Sequence, residues 1–204
     1  MKNYPWLCDG EKDIFPLLTK RQIISALSTR NEMIGFCNSG LRPAAVYARD
    51  WDVAIFPHDR MDEEDQIFKR LFDSLEENFP QIGFALSCQN GVNDFPGNVL
   101  EVDRFDPPLI ARVIIGYEGY VKIRRSMVRL YGDDFVIFPD DRSFFYCEIC
   151  GYYSLLAASS EFLASIGKGN FRKNWENALG AGLAESVLGL NLRNMRIAYS
   201  YHDG

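Results

Sequence analysis

The sequence is poor in histidine, with only His58 and His202 among its 204 residues. Two imidazoles leave few ways to build a histidine-based metal site or a serine triad. The chain also contains no G-x-S-x-G nucleophile elbow and no G-x-x-x-x-G-K-[ST] phosphate-binding loop. The common signatures of serine hydrolases and of P-loop nucleotide-binding proteins are therefore missing.

Long hydrophobic runs are absent as well. No segment approaches the roughly 20 apolar residues that a transmembrane helix needs, and the first residues, MKNYPWLCDGEKD, contain no apolar stretch that could serve as a signal peptide. We therefore expect a soluble, cytoplasmic protein that has no membrane partner.

Cysteine is scarce and odd in number. The five cysteines are widely spaced among apolar neighbours: Cys8, Cys37, Cys88, Cys147 and Cys150. Small secreted domains that depend on disulfides usually contain an even number of closely spaced cysteines. Reduced thiols are therefore the expectation.

Negative charge exceeds positive charge, and the excess is unevenly placed. The net charge is −6, and residues 1–102 contain 10 Lys+Arg against 16 Asp+Glu, so the whole excess lies in this half. A net-acidic protein is repelled by the phosphate backbone, which makes nucleic acid a poor partner, whereas a basic protein would be attracted.

The spacing of apolar residues predicts four helices: 19–31, 62–79, 159–166 and 171–188. Thr19 is a candidate N-cap for the first helix, and Pro80 stops the second. The rest of the chain contains many short runs rich in β-branched and aromatic residues, which predict strands. These runs include 44–49, 51–57, 82–88, 109–117, 120–125, 127–131, 135–138, 144–149 and 152–157.

Connections of about two to six residues separate most of the later β runs, and they are too short to contain crossover helices. Neighbouring runs should therefore pair antiparallel. We predict an α+β fold, with an antiparallel β-meander sheet and two to four amphipathic helices packed on one face. A single domain over residues 1–204 is expected, and the turn-rich segment 89–98 is the best candidate for an internal boundary.

Cys147 and Cys150 form a C-x-x-C-G arrangement in FFYCEICGYY. Such a pair can be half of a zinc site, a redox pair, or two small apolar residues near the end of a strand. No second pair completes a zinc site, and the aromatic flanks do not resemble the helix N-terminus of a redox pair. We favour the apolar interpretation, keep metal binding at these two cysteines as an alternative, and predict no cofactor.

The loop GFCNSGLRP, residues 35–43, carries Cys37 and Arg42, and His58 follows the strand-like run DVAIFP. A thiol, a guanidinium and an imidazole could together form the site of a small, hydrolase-like cytoplasmic enzyme. The C-x5-R signature of cysteine phosphatases is missed by one residue, since Arg42 follows Cys37 by five positions. We keep these three residues as an alternative catalytic group, beside an ordinary loop and a surface histidine.

The predicted helix 62–79 is unusually acidic. Its candidate partner-binding residues are Asp62, Glu63, Glu64, Asp65, Glu76 and Glu77. Carboxylates in the first turn stabilise a helix through its dipole by roughly 0.3–1 kcal/mol each, but the number present exceeds what a helix start requires. We therefore predict a non-enzymatic module that binds a basic protein. Immunity proteins, which neutralise a cognate toxin or nuclease, are acidic proteins of this kind, although the comparison is one of composition.

Overall fold

The computed structural model describes residues 14–16, 18–34, 41–58, 61–88, 110–131, 134–149, 153–169 and 175–176. The strands are β1 Trp51–Pro57, β2 Ile82–Ser87, β3 Ala111–Ile114, β4 Phe135–Pro139, β5 Phe145–Ile149 and β6 Tyr153–Ser159. The helices are α1 Lys20–Met33, α2 Pro43–Tyr47, α3 Met61–Asn78, α4 Tyr117–Tyr131 and α5 Ser160–Ser165.

The six strands form one antiparallel sheet in the order β1-β6-β5-β4-β2-β3. Strands β4, β5 and β6 are consecutive in the chain and adjacent in the sheet, so they form the predicted meander. β1 lies on the outer side of β6 and forms one edge of the sheet, and its Ile55 pairs with Leu155. At the opposite end β3 is the edge strand, and Ile82 of β2 pairs with Ile114. The predicted α+β class and antiparallel sheet are confirmed.

Helix α1 begins where the sequence predicts it. The Thr19 hydroxyl accepts a hydrogen bond from the Gln22 backbone N–H at 3.3 Å, and the Gln22 side chain accepts one from the Thr19 N–H at 2.9 Å. This reciprocal capping box satisfies two backbone donors that a helix start would otherwise leave to water. Helix α3 also matches its predicted range and ends before Pro80.

Both faces of the sheet are covered. Helices α3, α4 and α5 pack on one face, which we call face A, where Phe68, Phe72 and Leu75 of α3 are buried. Helices α1 and α2 and the side chain of Trp175 cover the other face, face B. Each large apolar side chain that is fully buried stabilises the fold by about 1.5–3 kcal/mol. Of the predicted amphipathic helices, α3 and α5 thus share one face, as predicted, and α1 lies on the opposite one.

Two sets of predicted strands are helical. Residues 44–49 fall in α2 and the turn after it, and α2 begins at Pro43, whose fixed φ suits the first turn of a helix. Residues 120–125 and 127–131 belong to one continuous helix, α4. Tyr120, Ile123 and Met127 are buried at helical spacing. Short stretches of α4 fit a period of two, but its 15 residues as a whole fit a period of 3.6.

Several predictions fall outside the described residues. These are the boundary at 89–98 and most of the helix at 171–188, from which only residues 175–176 are described, in helical conformation. None of the helices within the described ranges is both long and apolar enough to cross a membrane.

Candidate functional site

Helix α3 concentrates the negative charge of the chain. Its 18 residues, MDEEDQIFKRLFDSLEEN, include seven carboxylates and only two cationic side chains. Helix α3 therefore carries five of the six excess negative charges of the whole protein. Asp62, Glu63, Glu64 and Asp65 lie in its first turns, and their side chains are outside the described part of the structure.

Glu76 and Glu77 lie in the last turn of α3 and are exposed. Within the described residues, neither carboxylate makes a hydrogen bond or salt bridge. The last turn also contains no basic residue. The C-terminal end of a helix dipole is negative, so a carboxylate placed there is unfavourable for the helix. Helix stability does not explain why these two acids are present.

A cleft of about 830 Å³ lies beside α3, between the edge strand β3 and the start of α4. The Glu76 carboxylate forms part of its wall and packs against Gly116, where a Cβ would lie 2.7 Å from Glu76 Oε2. Gly116 has a φ of +151°, a backbone conformation that residues other than glycine rarely adopt. A glycine at this position therefore permits both the turn into α4 and the approach of Glu76.

The cleft contains charges of both signs in equal number. Its ionisable lining residues are Lys69, Asp73, Glu76, Arg112, Glu118 and Lys122. Lys69 Nζ lies 2.6 Å from Asp73 Oδ2, and the Asp73 carboxylate raises the pKa of Lys69. Arg112 forms a two-point salt bridge with Asp140, at 2.6 and 2.9 Å. The cleft as a whole is thus not the acidic surface that the composition of the chain suggests.

The core on face A contains a buried polar network centred on Glu148 of β5, which is 0% exposed. Its Oε2 accepts hydrogen bonds from the hydroxyls of Tyr120, at 3.0 Å, and Tyr146, at 2.9 Å. Its Oε1 accepts a hydrogen bond from Arg124 Nε at 2.9 Å. Three donors therefore surround a carboxylate that has no contact with water, as buried charge requires.

The network continues from Tyr146 toward the end of β1. The Tyr146 hydroxyl lies 2.7 Å from Ser154 Oγ, which in turn lies 2.7 Å from His58 Nε2. Since the single Tyr146 proton is donated to Glu148, the Ser154 hydroxyl donates to Tyr146, and His58 Nε2–H donates to Ser154. In this arrangement the imidazole does not accept the serine proton, so the pair lacks the polarity that a serine nucleophile needs.

The ionisation properties of the network follow from burial. Burial raises the pKa of Glu148, and the opposing attraction of Arg124 does not cancel this effect. Burial tends to lower the pKa of Arg124, but the Glu148 carboxylate outweighs it, so that pKa is raised. The difference arises because Glu148 is fully buried, whereas the Arg124 side chain is 38% exposed. Burial also raises the pKa values of Tyr120 and Tyr146, which keeps both hydroxyls protonated as donors.

The residues of the alternative catalytic group are not assembled by the described structure. Arg42 donates from Nε to the Ile34 carbonyl at 2.6 Å, in the layer that packs on face B. The ring of His58 lies edge-on to Phe68 at 5.0 Å between centroids, on face A. The sheet separates these two side chains, and Cys37 lies outside the described residues.

Cys147 is buried in β5, and its Sγ lies 3.8 Å from Cys88 Sγ. The contact with Cys88 and burial both raise the pKa of Cys147, which makes it a poor nucleophile. Cys150 lies outside the described residues. Among the described residues no group of three or more His, Cys, Asp or Glu side chains is placed to hold a metal ion.

Comparison with known proteins adds no relative: no family model, no curated protein and no solved structure matches this chain. The functional interpretation therefore depends on the residues of this chain alone.

Sequence reasoning did not single out the network around Glu148. The signal was a glutamate flanked by apolar residues within FFYCEI, a run that otherwise predicts a buried strand. Buried carboxylates need partners, so this pattern alone indicates a polar cluster. Tyr120, Arg124 and Ser154 are far from Glu148 or on other elements, and local patterns cannot identify them.

Proposed function

We propose that this protein is a non-enzymatic binding module that recognises a basic protein through helix α3. More specifically, we propose that the protein is an immunity-type inhibitor that neutralises a cationic toxin or nuclease. One observation supports the proposal above the others: five of the six excess negative charges of the chain are concentrated on the 18 residues of α3. A single charged element of this kind attracts a cationic partner and orients it during approach.

The placement of the acids within α3 adds support. Carboxylates in the first turn stabilise the helix, so their presence does not require a partner. Glu76 and Glu77 occupy the last turn, where the same dipole opposes them by roughly 0.3–1 kcal/mol each, and they are exposed. Glu77 costs helix stability and contacts no cation of the described chain, which is consistent with a use outside the chain. The Glu76 carboxylate, in contrast, is close enough to Lys69 to contribute to the raised pKa of that amine.

The test begins with capture of binding proteins from a lysate of the native host, followed by mass spectrometry and purification of the captured protein. A basic partner is expected. Association rates are then measured for the wild type, for Glu77→Lys and for the matched control Glu161→Lys, which changes the net charge equally at an exposed position of α5. Glu77→Lys should slow association several-fold more than the control does, and added salt should reduce the difference.

A second variant tests the first turns of α3. Asp62→Asn, Glu63→Gln, Glu64→Gln and Asp65→Asn are combined in one protein, whose helix content is checked by circular dichroism. We expect the association rate to fall while the fold is retained. An acidic captured partner, or association rates that neither set of substitutions changes, would refute the proposed function.

A further inference from the structure

The end of the sheet at β3 exposes apolar side chains. Ile82 and Ile114 are directly opposite each other in the β2-β3 pair, and they are 50% and 66% exposed. The other exposed large apolar residue among those described is Ile67 of α3, at 45%, and it does not line the cleft. An edge strand with exposed apolar residues is a surface on which another chain can pack.

The charges beside this edge complement one another. Glu118 and Lys122 are both exposed, lie one helical turn apart on α4, and line the cleft. Neither is in a salt bridge within the described residues. A surface with acids and bases in equal number repels a cationic partner about as strongly as it attracts one. The same surface can complement a second copy of itself, because a two-fold axis places acid opposite base twice.

We propose that the β3 edge and the adjoining start of α4 form the interface between two copies of this chain related by a two-fold axis. The two α4 helices run antiparallel across the axis, so that Glu118 of each copy faces Lys122 of the other. Ile82 and Ile114 of the two copies lose their exposure to water against each other. Of the acids that the proposed function invokes, Glu76 also lines the cleft, whereas Glu77 and the first turns of α3 do not. The substitutions that test the two proposals are therefore at different residues, and either proposal can fail without the other.

Analytical ultracentrifugation of the purified full chain at increasing concentration tests the interface. The molar mass should rise from 23.3 kDa toward twice that value. Ile114→Asp should remain monomeric at concentrations where the wild type is dimeric. The matched control Ile67→Asp introduces the same change at an exposed isoleucine outside the cleft and should dimerise as the wild type does. Circular dichroism establishes that both variants are folded.

A charge exchange tests the pairing itself. Glu118→Lys and Lys122→Glu should each weaken self-association, since each places like charges opposite one another. An equimolar mixture of the two variants should form a heterodimer, because every opposed pair in it is again of opposite sign. The inference is overturned if the wild type is monomeric at all concentrations, if Ile114→Asp dimerises as well as Ile67→Asp does, or if the mixed variants remain monomeric.

Discussion

Replacement of Glu148 by alanine should destabilise the protein strongly. The change removes the acceptor for the Tyr120 and Tyr146 hydroxyls and the partner of Arg124. A buried polar group left without its partner costs roughly 1–3 kcal/mol. Tyr146 retains its contact with Ser154, and the partly exposed Arg124 can be hydrated. We therefore expect the free energy of unfolding to fall by about 3 kcal/mol, as the sum of these partial losses.

Urea denaturation followed by circular dichroism measures this loss as a change in midpoint at constant m-value. Glu32→Ala is the matched control, because Glu32 also forms a salt bridge with an arginine, Arg49, but its side chain is 46% exposed. Exposed pairs contribute about 0–1 kcal/mol, so the control should be nearly as stable as the wild type. A loss for Glu148→Ala no larger than that of the control would refute the view that this network holds β5 and α4 together.

Three further predictions follow from burial and close packing. Burial raises the pKa of Glu148 in the folded state, so the contribution of Glu148 to stability is greatest below its unfolded pKa of about 4.3 and decreases as pH rises through the folded pKa. Denaturation at several pH values should show this decrease in the wild type but not in Glu148→Gln. Equal pH profiles for the two proteins would contradict the prediction. Gly119→Ala should lower the melting temperature, although alanine is normally favoured in helices by about 1 kcal/mol, because its Cβ would clash with the Ile114 carbonyl oxygen. An unchanged or higher melting temperature would count against this packing. Cys88 and Cys147, at 2% and 1% exposure, should be alkylated only after unfolding, and mass spectrometry that finds either modified in native protein would exclude their burial.

The concentration of charge on α3 was predictable from the sequence, because acids that are close in the chain remain close in any helix. The mixed charge of the cleft was not predictable. Lys69 and Asp73 belong to α3, Arg112 to β3, and Glu118 and Lys122 to α4. Their proximity depends on the packing of α3 and α4 beside an edge strand, and it defines a second surface whose charge differs from that of the chain as a whole.

The alternative catalytic group illustrates the same limit. Arg42 and His58 are separated by only 16 positions in the sequence, so a shared site was a reasonable hypothesis. Between them lie α2 and β1, and this connection carries the chain from the layer on face B into the sheet. Two residues that are near in sequence therefore lie on opposite sides of the sheet.

The amino-acid sequence by itself determined the antiparallel sheet, the capped start of α1 and the amphipathic helix α3, because short connections, capping residues and periodic apolar positions act between neighbours in the chain. The helical state of residues 117–131, the network from Arg124 through Glu148 to His58, and the cleft beside β3 were decided by tertiary structure. Each of these depends on contacts between residues distant in the sequence, for which local periodicity carries no information. In α4 the burial of Tyr120, Ile123 and Met127 against face A selects the helix over strands of similar composition.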